Sequence, residues 1–405
     1  MKVAIIEPQF RSGGHHCVHV QHIIQECLRR GWSVCLCTCQ GEGTHGALAE
    51  LPDGESRRVA VRYMQYVTFP REATLTRLLR YQFAYFHLFR DFYRTQLNRE
   101  RPDVIYLVNL DYCDKAMAVR GSPFGDCRFV GMLMSAKFHH ADAGIAGECR
   151  RPVVLHRLAF RRLLNIATLQ SVLSIDETLL QFSTRRRIPG AEKLKYVPDI
   201  ASLETMPDRS VGRRKFGFLE DDFVILVYGR LSARKGIRQL LRAASSIECI
   251  SKTKLLLAGN PDGDTVELLQ SPVAERLRSA GRLIEVLRLI DGKTEEGLLF
   301  AAADAVWLGY AGHAGMSGVL VQAARAGHPV IACREGLIGW FTQHHAIGQV
   351  VDIENPAEVA RCIELLAKNE GLREQYAQTG RRLAAMHTPE KFSHLVCDAI
   401  GGGNA

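Results

Sequence analysis

Short apolar runs alternate along this chain with glycine-marked turns and stretches of helical period. The run Phe223–Tyr228 is continuously apolar with β-branched members, a pattern typical of a parallel strand covered on both faces. Gly229 ends the run, and Arg230 follows at the carboxyl end of the predicted strand, where open α/β sheets bind ligands. Lys235 then precedes a helix predicted to begin at Ile237. Two cations beside a helix N-terminus suit a ligand with several negative charges, and the alternative is a solvated basic turn.

Strand and helix patterns alternate in both halves of the sequence. The first half opens with a strand over Val3–Glu7, a helix over about Cys17–Arg30 and a strand over Ser33–Thr38. Such alternation indicates a parallel sheet wrapped by helices. In the second half, the predicted strands that follow Phe223–Tyr228 are Lys254–Gly259, Leu283–Val286, Ala305–Gly309 and Pro329–Ala332.

The domain boundary is placed near Lys195–Pro207, where two prolines accompany a shift to polar residues. We therefore predict an α/β fold with two Rossmann-like parallel-sheet domains facing an interdomain cleft. The first domain takes residues 1–200 and the second takes residues 201–385. Residues 386–405 form a C-terminal helix that we expect to pack back toward the first domain.

The first strand-to-helix turn carries the glycine pair Gly13 and Gly14, where small residues let phosphates or sugars approach the backbone. A generic tight turn is the alternative. In the following helix His15, His19 and His22 share one face, a spacing that raises the question of a metal site. The carboxylate pattern of a metalloprotease does not accompany them. We therefore interpret these histidines as a polar lining of the cleft and predict no metal.

Apolar residues recur at helical spacing between Leu75 and Leu97, and arginines such as Arg77 and Arg80 fall on the opposite side. The favoured interpretation is a helix packed on its domain, with its arginines in water. The functional alternative is an interfacial helix that meets an anionic membrane surface or a lipid-linked acceptor.

Length and composition narrow the class of protein. A chain of 405 residues is long enough for two domains, and 47% hydrophobic with 23% charged residues is ordinary for a soluble globular protein. No apolar run approaches the ~20 residues of a membrane span, and the start has no signal-peptide pattern. The 12 cysteines show no C-x-x-C pair, so reduced thiols and a cytoplasmic location are expected. The net charge of +9 suggests an anionic partner, and no recognised nucleic-acid module is visible.

The turn GRLSARKG, residues 229–236, resembles the G-R-(L/F)-x-x-x-K-G turn of the retaining GT-B glycosyltransferases of glycosyltransferase family 4. The resemblance implies that Arg230 and Lys235 hold the diphosphate of a nucleotide-sugar donor. It also counts Gly229 among the donor-binding residues. Gly13 and Gly14 resemble the N-terminal glycine turn of the family, which faces the donor from the first domain.

A second segment, GMSGVLVQAARAGHPVIA over Gly315–Ala332, resembles E-G-x-G-x-x-x-x-E-A-x-A-x-G-x-P-V-(I/V)-A in the same family. Ser317 is expected to cap a helix that begins at Gly318, with free backbone N–H groups pointing at the donor phosphates. The two motif glutamates are missing, since Ala314 and Gln322 stand in their places. The resemblance gives the second glutamate to the donor ribose, so Gln322 is expected to accept that hydrogen bond without the charge.

The family also places a histidine or another polar group in a loop near the sugar and the acceptor. In the loop SAKFHHADAG the candidate is His139, with His140 as the alternate, and two exposed loop histidines are the alternative interpretation.

The implied reaction transfers a sugar from a nucleoside diphosphate to an acceptor hydroxyl with retention, and it requires no cofactor or metal. The expected partners are a nucleotide sugar, a glycan or lipid-linked acceptor and an anionic membrane surface, with the protein cytoplasmic or peripheral at the membrane. Nucleic acid is not expected. The alternatives are a catalytically silent GT-B protein that binds a nucleotide or a partner, and a sugar-nucleotide epimerase.

Overall fold

The structure is a computed structural model of the chain. It describes residues 1–10, 15–40, 48, 51, 54, 58–68, 74–147, 153–200, 206–246, 252–290 and 292–403. The chain divides into two compact units. The first contains residues 1–143, 149–198 and 389–405, and the second contains residues 144–148 and 199–388.

The described strands and the longer helices follow one another in an alternating order. In the first half they are β1 (Lys2–Ile6), α1 (His15–Arg29), β2 (Ser33–Cys39), β3 (Val59–Met64), α2 (Leu75–Phe92), β4 (Val104–Leu107), α3 (Asp114–Arg120), β5 (Arg128–Met132), α4 (Val153–Leu164), β6 (Leu169–Ser174), α5 (Glu177–Arg185) and β7 (Leu194–Tyr196). In the second half they are α6 (Arg209–Phe216), β8 (Phe223–Tyr228), α7 (Ile237–Ser246), β9 (Thr253–Ala258), α8 (Gly263–Leu269), α9 (Pro272–Ser279), β10 (Leu283–Val286), α10 (Lys293–Ala302), β11 (Ala305–Leu308), α11 (Gly318–Ala326), β12 (Val330–Cys333), α12 (Gly336–His344), β13 (Gly348–Val351), α13 (Pro356–Lys368), α14 (Glu370–Ala384) and α15 (Pro389–Gly401).

The first unit is built on a seven-stranded sheet in the order β3-β2-β1-β4-β5-β6-β7, with every pair parallel. Helix α2 packs on this unit through aromatic side chains, and Tyr85 and Phe89 are fully buried. The helix continues through a π-helical turn, Tyr93–Leu97. Leu75 and Leu79, in its first turns, are exposed. Most of the predicted Leu75–Leu97 helix therefore packs on its own domain, and across the described ranges no helix is long and apolar enough to cross a bilayer.

Helix α15 belongs to the first unit and packs along α1. Phe392 is fully buried, and its ring centroid lies 4.4 Å from that of His19. Arg30, directly after α1, pairs with Asp398 of α15 at 2.7 Å. The interpretation of His19 as a polar lining is wrong, because its ring is fully buried in this contact between two helices.

The second unit is built on a six-stranded parallel sheet in the order β10-β9-β8-β11-β12-β13. The chain leaves β8 toward β9 on one side and later returns to β11 on the other side. Ligands of open α/β sheets bind at the carboxyl ends of such a strand pair, because the two connections diverge there. The predicted strand Phe223–Tyr228 is observed with those bounds.

Candidate functional site

Glycine turns meet at the carboxyl ends of β8, β9 and β11 in the second unit. A Cβ atom on Gly259, after β9, would lie 1.9 Å from the carbonyl oxygen of Gly229, after β8. A Cβ atom on Gly236 would lie 2.0 Å from the carbonyl oxygen of Gly309, after β11. Gly236 also has a φ of +65°, in the left-handed region that favours glycine. Only glycine at these positions allows the turns to touch, and their contact forms the floor of the site.

Lys235 is folded into this junction and is 4% exposed. Its Nζ donates to the backbone carbonyl of Tyr228 at 2.6 Å and to the Tyr310 hydroxyl, and it lies 4.5 Å from the Tyr310 ring centroid. The indole N–H of Trp307 holds the Lys235 carbonyl at 2.8 Å. Among the described residues no carboxylate pairs with this ammonium. A desolvated cation that has only neutral protein partners is favourable for binding an anion.

Tyr310 connects Lys235 to the N-terminus of α11. The Tyr310 hydroxyl lies 3.4 Å from Ser317 Oγ. Ser317 occupies the N-cap position, with φ −142° and ψ 125°, but its side chain makes no capping hydrogen bond. The expectation that the Ser317 hydroxyl caps this helix is therefore wrong. The first N–H groups of α11, beginning with Gly318, lack a side-chain cap, and together with the helix dipole they favour an anion at this end.

Arg230 lies on the same turn as Lys235 but is exposed. In the part of the chain that the structure describes, its guanidinium makes no hydrogen bond or ion pair. Its charge acts on Asp262 at the start of α8: a hydrogen bond from Thr265 and, more weakly, the Arg230 charge lower the pKa of Asp262. The turn thus presents one buried cation, Lys235, and two exposed ones, Arg230 and Arg234. The exposed Arg230 side chain can move to contact a ligand.

Gln322 lies one turn into α11 and is 6% exposed. Its Nε2 donates to Oε1 of Glu296 on α10, at 2.5 Å, and Glu296 is 5% exposed. The sequence pattern predicts that Gln322 replaces a motif carboxylate on its own. The structure instead places a carboxylate beside it, from a different helix.

Tyr228 ends β8 and connects this pair to Lys235. Its backbone carbonyl accepts from Lys235 Nζ, and its phenol lies beside Glu296. Burial and then the neighbouring Glu296 raise the pKa of Tyr228. Sequence reasoning did not single out Tyr228, Glu296 or Tyr310. The one available signal was a second glutamate directly before the apolar run that ends α10.

His139 lies in the first unit and is fully buried. Its Nε2 lies 2.9 Å from Asp176 Oδ2 and 2.9 Å from Thr178 Oγ1. Burial opposes ionisation of Asp176, but hydrogen bonds from His139, His140 and Thr178 outweigh it and lower its pKa. Burial lowers the pKa of His139 and favours the neutral ring. The structure therefore gives His139 contacts that fix the start of α5, where Asp176 is the N-cap. The alternative of two exposed histidines is wrong, because His140 is also buried. Gly13 and Gly14 lie outside the described residues.

The first unit holds a small cavity of about 40 Å³ beside the ends of β4 and β5. Asp111 lines it, and its Oδ2 accepts from the backbone N–H groups of Met134 and Ser135 at 2.9 and 3.1 Å. Burial and the nearby Asp114 raise the pKa of Asp111 to about 6. The cavity has a titratable polar wall, and it contains none of the residues that the sequence singled out.

Two Rossmann-like parallel-sheet domains, the second with a basic glycine turn at its topological switch point, define the GT-B class of folds. The chain matches solved GT-B structures over almost its whole length. Residues 208–383 match the sequence model of the family "Glycosyl transferases group 1".

Three similar proteins illustrate the match. A sucrose-phosphate synthase from Thermosynechococcus elongatus superposes with a TM-score of 0.69 at 17% identity, covering 98% of each chain. HepE from Anabaena, solved in complex with UDP-glucose, has a TM-score of 0.64 at 17% identity, covering 99% of each chain. A D-inositol 3-phosphate glycosyltransferase from Salinispora arenicola is 27% identical over 48% of this chain and 44% of that protein. The chain thus spans less than half the length of this curated relative.

Proposed function

We propose that this protein is a glycosyltransferase that moves a sugar from a nucleoside-diphosphate donor to an acceptor hydroxyl, with retention at the anomeric carbon. The observation that carries the proposal is the Lys235 ammonium, which is 4% exposed and donates to neutral oxygens. It lies at the switch point of the segment that matches the group 1 glycosyltransferase model. The UDP-glucose found with the similar HepE is a donor of this chemistry.

In this proposal the protein stabilises the charge that grows on the departing diphosphate. Lys235 meets the phosphates from a fixed position, and Arg230 reaches them from the exposed side of the same turn. Gly229 has no side chain, so the phosphates can approach its backbone closely. The N-terminus of α11 at Ser317 and Gly318 adds N–H donors. Preorganised donors aimed at developing charge are the largest single contribution to many enzymatic rates. No metal or cofactor enters the proposed reaction.

The acceptor side is proposed to lie on the first unit. His139 is assigned a positioning role through Asp176, because its side chain is fully buried.

The exposed Leu75 and Leu79 lie beside arginines in the first turns of α2, which supports a peripheral contact with an anionic membrane or a lipid-linked acceptor. Stronger co-sedimentation with anionic than with neutral liposomes is expected, and equal, negligible binding to both contradicts the contact.

The test measures free nucleoside diphosphate released from a panel of nucleotide sugars by the purified chain, first with water and then with glycan acceptors. Lys235→Met should lower turnover by about 100-fold or more, since one lost donor at a developing anion has this effect. Lys368→Met is the matched control, because Lys368 is 68% exposed and pairs with Glu364. Binding of nucleotide sugar without release of diphosphate would favour the catalytically silent alternative.

A further inference from the structure

Helix α10 carries two adjacent glutamates with different surroundings. Glu295 pairs with Arg288, whose side chain is 58% exposed. Glu296, the next residue, is 5% exposed and accepts a hydrogen bond from Gln322 of α11. Burying a carboxylate is unfavourable unless it is hydrogen-bonded, so a specific interaction has to account for Glu296 at this position.

Both elements that would hold a diphosphate touch this pair. Gln322 lies four residues after Gly318, so it is about 6 Å along the helix axis from the N-terminal N–H groups of α11. The backbone carbonyl of Tyr228 accepts a hydrogen bond from Lys235 Nζ, and the Tyr228 phenol lies beside Glu296. Glu296 therefore contacts two residues that adjoin the proposed anion site: Gln322 in α11 and Tyr228, whose carbonyl accepts from Lys235.

A nucleoside diphosphate places a ribose next to its phosphates. The ribose presents two neighbouring hydroxyls, and a carboxylate accepts hydrogen bonds from such hydroxyls with the added strength of its charge. In doubly wound folds a carboxylate near the pyrophosphate binds the ribose in this way. Gln322 fixes Oε1 of Glu296 by donating its amide N–H, which orients the carboxylate toward one geometry.

We infer that Glu296 and Gln322 form the ribose subsite of this protein, with Glu296 as the residue that accepts from the 2′- and 3′-hydroxyls and Gln322 as the residue that positions it. The carboxylate that the sequence pattern lacks at position 322 is thereby supplied from α10. This inference rests on the proposed function, since it assigns a part of the same donor site.

The experiment is calorimetric titration of the full chain with uridine diphosphate and guanosine diphosphate, each beside its 2′,3′-dideoxy analogue. The wild-type chain should bind the ribose form of its nucleotide roughly 10- to 100-fold more tightly than the dideoxy form, the range expected for hydrogen bonds to a charged group. Glu296→Gln should reduce that ratio to about 3-fold or less while leaving the dideoxy affinity unchanged. A merely structural role would lower both affinities together.

Two further variants complete the design. Glu295→Gln, the matched control on the same helix, should keep the wild-type ratio, because Glu295 pairs with the exposed Arg288. The exchange variant Glu296→Gln/Gln322→Glu, which moves the carboxylate to α11, should recover part of the discrimination. Equal binding of ribose and dideoxy forms by the wild-type chain, which needs no variant, overturns the inference and leaves the proposed function standing. If no nucleoside diphosphate binds to the wild-type chain, the proposed function itself is overturned.

Discussion

At the scale of single residues, the distinctive feature is a buried cation that pairs with no carboxylate among the residues that the structure describes. Lys235 is 4% exposed, and its Nζ donates to a carbonyl and a phenol. A carbonyl and a ring face compensate only part of the hydration that an ammonium loses on burial. Such an arrangement is destabilising for the free protein and becomes favourable when an anion binds, so stability and function should respond oppositely to its removal.

Lys235→Met keeps most of the side-chain volume and removes the charge. We expect the free energy of unfolding to stay unchanged or rise by up to about 2 kcal/mol, because a desolvated charge is replaced by an apolar group. The stabilisation of the wild-type chain by added nucleoside diphosphate should disappear in the variant. Thermal melts with and without the ligand measure both effects. A variant that melts far below the wild type, yet still gains stability from nucleotide, would contradict this role of Lys235.

Gln322→Glu tests the contact between α10 and α11 from the other side. It would place two carboxylates about 2.5 Å apart, the present distance between Gln322 Nε2 and Glu296 Oε1. One of the two pKa values must then rise, since like charges this close cannot both ionise. A carboxyl whose folded pKa is raised contributes stability at low pH and loses it as the pH rises through that pKa.

The Gln322→Glu variant should therefore approach wild-type stability near pH 4 and fall below it progressively toward pH 8. Melting temperatures of both proteins across this range give the comparison. The exchange variant Glu296→Gln/Gln322→Glu carries a single carboxylate and should lack the extra pH dependence. If Gln322→Glu follows the wild-type profile throughout, the two side chains do not meet in solution.

Sequence reasoning could locate Arg230 and Lys235 because they lie in one short turn, where spacing along the chain is also spacing in the molecule. It could not find the partner of Gln322, because Glu296 precedes it by 26 residues and meets it only after two helices pack. The same limit explains His139, whose role depends on Asp176, 37 residues later.

At the scale of elements, the turn between β8 and α7 depends on where its glycines lie. Gly236 has a φ of +65° and sits against the carbonyl of Gly309, whereas Gly281 has nearly the same φ, +63°, with open space around its Cβ position. Alanine at position 281 would therefore add backbone strain alone, whereas alanine at position 236 would add strain and a steric overlap. Strain alone costs about 1 kcal/mol for alanine in the left-handed region.

Gly281→Ala should lower the free energy of unfolding by about 1 kcal/mol and leave nucleotide binding unchanged. Gly236→Ala adds an overlap with backbone, which cannot rotate away, and should cost roughly 3 kcal/mol or more. It should also weaken nucleoside-diphosphate binding, because the turn that carries Lys235 has to move. Denaturant titration and calorimetry of the two variants check this. Similar losses in both would mean that the turns have room to separate.

The apolar period predicted α2 well, but it could not say which of its apolar residues are covered. Tyr85 and Phe89 are buried, whereas Leu75 and Leu79 are exposed, although all four are apolar or aromatic residues of one helix. Burial depends on how far the neighbouring helices extend along α2, and that is a property of the packed unit. The short strand β13, Gly348–Val351, is likewise hard to recognise because its residues are only partly covered.

At the scale of the whole molecule, the alternation of strands and helices was enough to predict two parallel sheets. The order of strands within each sheet was not readable, because any crossover between parallel strands gives the same alternation. The order matters for function, since it places the switch point between β8 and β11 and so brings Lys235 to Tyr310. The C-terminal helix α15 groups with the first unit through its contact with α1, a connection across almost the entire chain.

Because the proposed anion site lies at one end of one sheet, nucleotide binding should slow amide hydrogen exchange only in the segments around that end. With saturating uridine or guanosine diphosphate, whichever binds, we expect slower exchange in residues 229–236, 293–300 and 310–322 of the full chain. These are the turn after β8, the first turns of α10, and the loop into α11. Ligand contacts suppress the local opening that allows exchange.

Helices α13 and α14 serve as the internal control, because they contribute no residue to the proposed donor site. Their exchange should not change when nucleotide is added, and Lys235→Met with the same nucleotide should show no protection in any of the three segments. Protection that appears first in α13 and α14, or that survives in Lys235→Met, would place the nucleotide elsewhere. Protection of the turn after β8 without protection of residues 293–300 would support the phosphate site at Lys235 and contradict the ribose site at Glu296.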